Sequence, residues 1–282
     1  MTASNLVPES ALPRVHLKGV GYGGEDAWVP VARYNAETDE ASSTAPLFVF
    51  LHEGLGCIDM WRGFPQRVCD ALGVAGLAYS RPGYGYATPR PAGEQWPLSF
   101  MHHQATVVLP QLLQTCAVDV SRRPVYLVGH SDGASIALRA AAEVPLAYAG
   151  VVAISLHVFV EAVGLESIRA ARVAFDEGSF AQRLAKYHPD PASPFDGWAG
   201  VWLHPDFEAW RMTDATRRIV APILAVQGVQ DPYGTVAQVD ALRASAVQSS
   251  RFETLLVPSG GHDPHRDDPD AVIAAMRDWL LV

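Results

Sequence analysis

The stretch Val125-Tyr126-Leu127-Val128-Gly129-His130-Ser131-Asp132-Gly133 joins an apolar run to a G-x-S-x-G pattern, and the helix-prone segment 134–142 follows it. A strand, a sharp turn and a helix are the context that this pattern needs if its serine is a nucleophile. The flanking glycines leave room for the turn, and the start of the helix directs partial positive charge towards a developing oxyanion. A chance match is the alternative, and the surrounding strand and helix argue against it. We therefore predict Ser131 as a nucleophile.

A serine hydroxyl is a poor nucleophile without a base, and two later parts of the chain supply candidates. Asp231 lies shortly after the apolar run 222–226, and His262 lies shortly after the run 252–257. Functional side chains of open α/β sheets lie beyond the carboxyl ends of the strands. We therefore predict that Asp231 and His262 meet Ser131 at that edge, with His262 as general base and Asp231 orienting it.

Other residues near these strand ends offer alternatives. Glu161 is the only carboxylate just after the preceding strand, so it is the alternative acid. His265 follows His262 closely, and we interpret it as pairing locally with Asp267 or Asp268. The two histidines could also suggest a metal site, but a serine–histidine–aspartate arrangement explains them better. We predict no metal and no cofactor.

Apolar runs recur along the whole chain, and helices are predicted between most of them, at residues 60–72, 98–118, 134–143, 235–246 and 269–281. The runs are 15–20, 28–34, 46–51, 74–79, 125–128, 150–154, 222–226 and 252–257. This alternation predicts an α/β fold with a mostly parallel, doubly wound sheet that is covered by helices on both sides.

The alternation of strands and helices breaks once, after the sixth run. Two amphipathic helical stretches, 161–175 and 179–187, are followed there by a Pro- and Trp-rich segment, 189–210. We therefore predict a core formed by residues 1–155 and 219–282, and a helical cap inserted at residues 156–218.

Taken together, these motifs resemble the α/β-hydrolase family, in particular its capped serine hydrolases, which include esterases, lactonases and C–C bond hydrolases. Two more loops carry the resemblance. His52-Glu53-Gly54-Leu55-Gly56 is similar to the family's H-G-x-x-G, with Glu53 in place of a glycine. Ser80-Arg81-Pro82-Gly83-Tyr84-Gly85 is similar to its D-x-x-G-x-G, with Ser80 in place of the aspartate. The resemblance implies that this second motif, with Arg81, packs a turn and is not catalytic. The resemblance covers about residues 15–281 and implies an α/β-hydrolase fold with an inserted helical cap.

The resemblance also implies an oxyanion hole made by the backbone N–H groups of Gly54 and Asp132. Glu53 departs from the family pattern. We favour a structural role for it, orienting His52 or a basic residue, because a carboxylate near an oxyanion opposes the charge that forms. A role as general acid or base is the alternative. His52 is predicted to form hydrogen bonds within its loop.

Several residues are candidates for a substrate pocket, chiefly from the predicted cap. The pocket candidates are Glu53, His157, Phe159, Trp198 and Trp202. Aromatic cap residues more often pack the cap onto the core, but a few of them are expected to line an apolar acyl or aryl pocket.

The charge balance, the length of the apolar runs and the cysteines exclude several kinds of partner and location. The chain has 282 residues, with 21 Lys and Arg against 30 Asp and Glu, which gives a net charge of −9. Such a chain has no basic surplus for a phosphate backbone, so we predict no nucleic-acid partner. No apolar run reaches the ~18 residues of a membrane helix. No secretory leader is evident at the start, and the three scattered cysteines fit a cytoplasmic protein.

Three functions are compatible with these residues. The first is a serine hydrolase that cleaves a small carboxylic ester or lactone with an apolar acyl or aryl part. The second is a C–C bond hydrolase of a vinylogous diketone acid, which requires a cationic residue under the cap for the substrate carboxylate. The third is a ligand-binding protein of the same fold. The natural substrate and the oligomeric state are left open.

Overall fold

The computed structural model of the protein describes residues 7–36 and 43–281. Residues 1–6, on which the prediction of no leader rests in part, lie outside these ranges. Within them, eight strands form one sheet in the order β1-β2-β4-β3-β5-β6-β7-β8. The strands are β1 (Arg14–Leu17), β2 (Ala27–Tyr34), β3 (Leu47–Leu51), β4 (Ala75–Tyr79), β5 (Val125–His130), β6 (Gly150–Ile154), β7 (Ile223–Gly228) and β8 (Phe252–Val257).

The predicted mostly parallel sheet is confirmed. The antiparallel pairings of the sheet are the two that β2 makes, with β1 on one side and β4 on the other. From β4 through β3 and on to β8, every pairing is parallel. The carboxyl ends of β5, β7 and β8 therefore lie along one edge of the sheet.

The sheet is buried on both faces because successive side chains of its central strands enter two separate apolar layers. In β3, Phe48 and Phe50 belong to one layer, and Val49 and Leu51 belong to the other. All four side chains are fully buried. This arrangement explains why the central strands read as continuous apolar runs rather than as alternating ones.

Helices cover both layers and fill the connections between the strands. They are α1 (Phe64–Leu72), α2 (Phe100–His103), α3 (Leu109–Thr115), α4 (Asp132–Glu143), α5 (Ala162–Asp176), α6 (Ser179–Leu184), α7 (Ala192–Trp202), α8 (Thr213–Thr216), α9 (Ala237–Ser245), α10 (Pro264–Asp267) and α11 (Pro269–Leu280). None of the helices in the described ranges is both long and apolar enough to cross a bilayer.

Two predicted helices are interrupted. The helix expected from residue 60 begins only at Phe64, because Arg62 and Gly63 have φ angles of 51° and 80°. The helix expected over residues 98–118 contains a π-helical segment, Gln104–Val108. Pro110 lies just after this segment and cannot donate a backbone hydrogen bond, which favours the irregularity.

Four helices, α5 to α8, lie between β6 and β7, where the cap is predicted. The Pro- and Trp-rich segment contains α7, which the sequence pattern did not indicate as a helix. Phe195, Trp198 and Trp202 are all buried in this helix. Because α7 is apolar around most of its circumference, it lacks the one-sided pattern by which α5 was recognised.

Candidate active site

Ser131 lies at the junction of β5 and α4 in a conformation that few residues adopt. Its φ is 54° and its ψ is −119°. The neighbouring glycines explain the G-x-S-x-G pattern. A Cβ on Gly133 would lie 2.0 Å from the carbonyl oxygen of Leu51, and one on Gly129 would lie 2.2 Å from the oxygen of Gly133. The tight turn therefore requires glycine on both sides of the serine.

His262 and Asp231 meet Ser131 at the carboxyl edge of the sheet. His262 Nε2 lies 3.0 Å from Ser131 Oγ, and His262 Nδ1 lies 2.9 Å from both carboxylate oxygens of Asp231. Asp231 also accepts hydrogen bonds from the backbone N–H of Tyr233 (2.8 Å) and from Gln227 Nε2 (2.9 Å). These contacts fix the carboxylate against the imidazole.

The surroundings of Asp231 favour its charged form. Burial raises the pKa of its carboxyl group, but the hydrogen bond to His262 and the charge of that imidazole outweigh burial, so the pKa lies below its ordinary value. An ionised carboxylate on Nδ1 directs the Nδ1 proton towards Asp231 and leaves Nε2 able to accept a proton from the serine.

Glu161, the alternative acid, lies in the same cavity but has other partners. Its Oε1 accepts a hydrogen bond from Thr235 Oγ1 at 2.7 Å, and its Oε2 accepts one from Gln238 Nε2 at 2.7 Å. The backbone N–H of Thr235 donates to Oε2 at 2.9 Å. Glu161 therefore links the start of α5 to the start of α9, while Asp231 contacts the histidine.

The loop after β3 is held by Arg81, which is predicted only to pack a turn. Arg81 is fully buried. Its side chain donates to the carbonyl oxygens of His52 and Glu53, the latter at 2.9 Å. Its backbone N–H donates to His52 Nε2 at 3.0 Å, and His52 Nδ1 contacts the carbonyl of Glu53 at 2.8 Å. The predicted role of His52 in its own loop agrees with these contacts.

Gly54 follows directly on this anchored segment. A Cβ on Gly54 would lie 2.3 Å from Trp198 Nε1 and 3.1 Å from Asp132 Oδ2. A larger residue would therefore displace the indole of α7. The close approach brings the loop after β3, the start of α4 and helix α7 together around Ser131.

Asp132 is a buried carboxyl group beside the serine. Trp202 Nε1 donates a hydrogen bond to its Oδ1 at 3.1 Å. Its Oδ2 is buried and has no hydrogen-bond partner. Burial raises the pKa of Asp132 to about 6, and the nearby Arg81 charge offsets only part of that rise.

Glu53 faces a histidine other than the one in its own loop. Its Oε2 lies 3.5 Å from His130 Nδ1, and His130 Nε2 donates to the carbonyl oxygen of His262 at 2.8 Å. Burial raises the pKa of Glu53, but His130 and Arg266 lower it by more than burial raises it. The pKa of Glu53 therefore lies well below its ordinary value. Burial lowers the pKa of His130, but Glu53 outweighs burial and the pKa is raised. This contact corresponds to the predicted orientation of a basic residue.

A cavity of about 210 Å³ opens over Ser131. Its lining is mostly apolar. The lining residues are Glu53, Gly54, Leu55, Met60, His130, Ser131, Asp132, His157, Glu161, Gly164, Ile168, Phe180, Leu184, Trp198, Trp202, Tyr233, His262, Asp263 and Arg266. The sequence did not single out Arg266 or Tyr233 for this pocket, because both lie outside the recognisable motifs.

The structure agrees with four of the five pocket candidates and not with the fifth. Glu53, His157, Trp198 and Trp202 line the cavity. Phe159 does not, and its prediction is wrong. Its neighbours His157 and Glu161 both line the cavity, whereas the backbone of Phe159 pairs with Arg211 in an isolated β-bridge. His157 is buried, and burial lowers its pKa to about 3, so it is neutral near pH 7.

His265 is not paired with Asp267 or Asp268, contrary to the prediction. Its ring packs against Trp61, Phe64 and His130, with centroids 5.2, 5.1 and 4.7 Å away.

The side chains of His130, Asp263 and His265 also lie close enough together to hold a metal ion, with ligand atoms within 4.8 Å of one another. The donor set fits a cation poorly. Arg266 Nη1 already lies 3.2 Å from Asp263 Oδ1, and His130 Nε2 donates to a carbonyl.

Comparison with known proteins gives a consistent answer on the family. A model of the alpha/beta hydrolase family matches residues 48–275. No curated protein matches the sequence at a significant level.

Solved structures with the same fold are similar over nearly the whole chain. An enol-lactonase from Burkholderia xenovorans LB400 has 16% identity and a TM-score of 0.69, with 96% of this chain and 100% of that chain covered. A thermophilic esterase from Thermogutta terrifontis has 19% identity and a TM-score of 0.68, with coverage of 95% and 98%. A proline iminopeptidase from Mycobacterium smegmatis has 16% identity and a TM-score of 0.64, with coverage of 95% and 97%. At such identities the likeness concerns the fold. Because the family model spans most of the sequence, the chain belongs to the alpha/beta hydrolase family and is a hydrolytic enzyme.

Proposed function

We propose that this protein is a serine hydrolase that cleaves a small carboxylic ester or lactone through an acyl-enzyme. The observation that carries the proposal is the continuous set of contacts from Ser131 Oγ to His262 Nε2 (3.0 Å) and from His262 Nδ1 to Asp231 (2.9 Å). A nucleophile, a base and an orienting carboxylate in this geometry suit acyl transfer.

In this mechanism Ser131 Oγ attacks the carbonyl carbon of the substrate while His262 Nε2 takes the hydroxyl proton. Asp231 stabilises the imidazolium that forms. The backbone N–H groups of Gly54 and Asp132 receive the oxyanion. His262 then gives its proton to the leaving alcohol, and in a second half-reaction it activates the water that releases the acid.

Further features support the proposal. The strained turn at Ser131 is of the kind that persists at functional sites. Arg81 anchors the carbonyls that precede Gly54 and so fixes the direction of the loop. Residues 156–218, which we propose as the cap, supply apolar lining at Ile168 in α5 and at Phe180 and Leu184 in α6. An apolar lining and a cavity of about 210 Å³ suit a small substrate with an apolar part.

Hydrolysis of a C–C bond in an acid is less favoured, because such a substrate needs a free cation under the cap. Among the described residues that line the cavity, Arg266 is the only arginine or lysine. Its side chain already lies 3.2 Å from Asp263 and 3.8 Å from Glu53. These carboxylates compete with a substrate carboxylate for the same guanidinium.

Steady-state hydrolysis of nitrophenyl esters, from acetate to octanoate, tests the proposal. We expect multiple turnovers with the wild type and a loss of about 10⁶-fold in turnover with Ser131→Ala. The matched control is Ser155→Ala, a buried serine with a positive φ at the end of the neighbouring strand β6. It should retain wild-type rates.

Equal rates for Ser131→Ala and the wild type would contradict the proposal. A folded wild type that turns over no ester would contradict it as well, and would favour the ligand-binding alternative or a C–C substrate. The chain length that gives the highest kcat/KM would measure the acyl pocket.

A further inference from the structure

The cavity over Ser131 has more negative than positive groups. Four carboxylates line it against one guanidinium: the acids are Glu53, Asp132, Glu161 and Asp263, and the cation is Arg266. Glu53 faces His130, and Asp263 contacts Arg266 at 3.2 Å. The charges of Asp132 and Glu161 have no such partner at the cavity wall.

Glu161 and Asp132 differ in what they can still bind. Both oxygens of Glu161 accept hydrogen bonds from Thr235 and Gln238 at 2.7 to 2.9 Å. These neutral donors satisfy the carboxylate and tie it to α9. Glu161 therefore contributes negative potential but has little remaining capacity for a ligand.

Asp132 has one oxygen that is unused. The residue is 1% exposed, and only its Oδ1 has a donor, the indole of Trp202 at 3.1 Å. Oδ2 is buried without a partner and lies over Gly54. Arg81, a buried cation whose charge lowers the pKa of Asp132, directs its Nη1 and Nη2 groups to the carbonyls of His52 and Glu53 instead. A buried acceptor without a donor is destabilising, which indicates that a group from outside the chain completes it.

We propose that Asp132 Oδ2 binds a protonated amine on the carbon next to the scissile carbonyl, so that the preferred substrates are esters of α-amino acids. The inference rests on the serine-hydrolase function proposed above. In that function the backbone N–H of Asp132 meets the carbonyl oxygen, and the carboxyl carbon is only three bonds from that nitrogen. An α-ammonium group is the cation that an ester can place closest to its own carbonyl.

The charges around the reaction favour this assignment. A carboxylate beside an oxyanion hole repels the oxyanion when no cation separates them. An ammonium group between Asp132 and the oxyanion is attracted to both, and its attraction to the oxyanion grows as the transition state forms.

Two nitrophenyl esters of equal size test the proposal with the wild type alone. L-Alanine p-nitrophenyl ester carries the ammonium group, and p-nitrophenyl isobutyrate has a methyl group in its place. We expect kcat/KM at pH 6.5, divided by the rate of each ester in buffer, to favour the alanine ester by about 10- to 100-fold. Equal normalised values would overturn the proposal, and this comparison does not depend on the folding of any variant.

Asp132→Asn removes the charge while keeping the shape, and we expect the preference for the alanine ester to fall to near 1. The matched control is Asp206→Asn, which removes one charge from the side chain of a residue that is 80% exposed and outside the cavity lining. It should keep the wild-type ratio. An unchanged ratio in Asp132→Asn would overturn the role of Asp132. If the wild type hydrolysed neither ester, that result would instead contradict the serine-hydrolase function itself.

Discussion

Two carboxylate–imidazole pairs lie side by side beneath the cavity, and they differ in where the imidazole leads. Asp231 lies 2.9 Å from His262, whose other nitrogen is 3.0 Å from Ser131 Oγ. Glu53 lies 3.5 Å from His130, whose other nitrogen donates to the backbone carbonyl of His262. The two imidazole rings are 5.1 Å apart between centroids.

The comparison indicates that the same chemical pair serves two purposes. The side chain of His262 is 17% exposed and contacts a reactive hydroxyl, so its proton can move during a reaction. The His130 side chain is fully enclosed and ends on a main-chain oxygen. We infer that the Asp231 pair acts on substrate and that the Glu53 pair is a positioning pair that holds the backbone of His262.

Removing the charge from the Asp231 pair should have the larger effect. We expect Asp231→Asn to lower kcat for nitrophenyl esters by about 10⁴-fold, because the amide stabilises the wrong tautomer of His262. Steady-state rates corrected for wild-type contamination would measure this loss. A variant with the full esterase rate would show that Asp231 is not the orienting acid.

The matching change in the other pair, Glu53→Gln, should cost roughly ten- to a hundredfold in kcat, since it loosens the support of His262 without removing a reacting group. The free energy of unfolding should also fall, by on the order of 2 kcal/mol. Parallel measurements of kcat and of urea unfolding would separate the two effects. A loss as large as that of Asp231→Asn would make Glu53 a participant in proton transfer.

Substitution of Asp132 should have the smallest net effect, and this effect concerns stability. Burial raises its pKa from 3.8 to about 6, so the folded chain holds this proton more tightly than the unfolded chain. The free energy of unfolding therefore falls as the pH rises from about 4 to about 6, by on the order of 3 kcal/mol.

Asp132→Asn removes the loss of stability that comes from ionising a buried carboxyl group, but it leaves an amide donor without a partner. We expect a net gain of about 1 kcal/mol at pH 7.5, which raises Tm by a few degrees, and a smaller or negative change at pH 4.5. Thermal melts at the two pH values would measure it. Identical shifts at both would show that the carboxyl group has no raised pKa. Higher stability of Asp132→Asn at pH 7.5 would show that the fold disfavours the charge of Asp132, whereas it stabilises the charge of Glu53.

The parts of the site that follow from local sequence were predictable. Parallel strands bring their carboxyl ends to one edge, so the loops that follow β5, β7 and β8 had to meet there. The glycines around Ser131 could be predicted to form a tight turn, because their spacing reports a steric requirement of the backbone itself.

Contacts that depend on side-chain direction were not predictable. His130 could be recognised only as a position in the motif, and nothing local indicates that its ring faces Glu53. Arg81 was interpreted as part of a packed turn, although its guanidinium reaches the loop after β3. Phe159 is predicted to line the pocket, but it is His157 and Glu161, two residues to either side of it, that do so. Helix α7 was missed because its burial on most sides removes the periodic pattern.

The most direct test of the central claim is covalent labelling of the intact protein with a fluorophosphonate, followed by mass spectrometry. In this reaction Ser131 Oγ attacks phosphorus, fluoride leaves, and the hydroxyl proton passes to His262. We predict one adduct per chain, located on the peptide that contains Ser131, no adduct in Ser131→Ala, and full labelling of Ser155→Ala. An adduct on another residue, or equal labelling of Ser131→Ala, would contradict the assignment of Ser131 as the nucleophile.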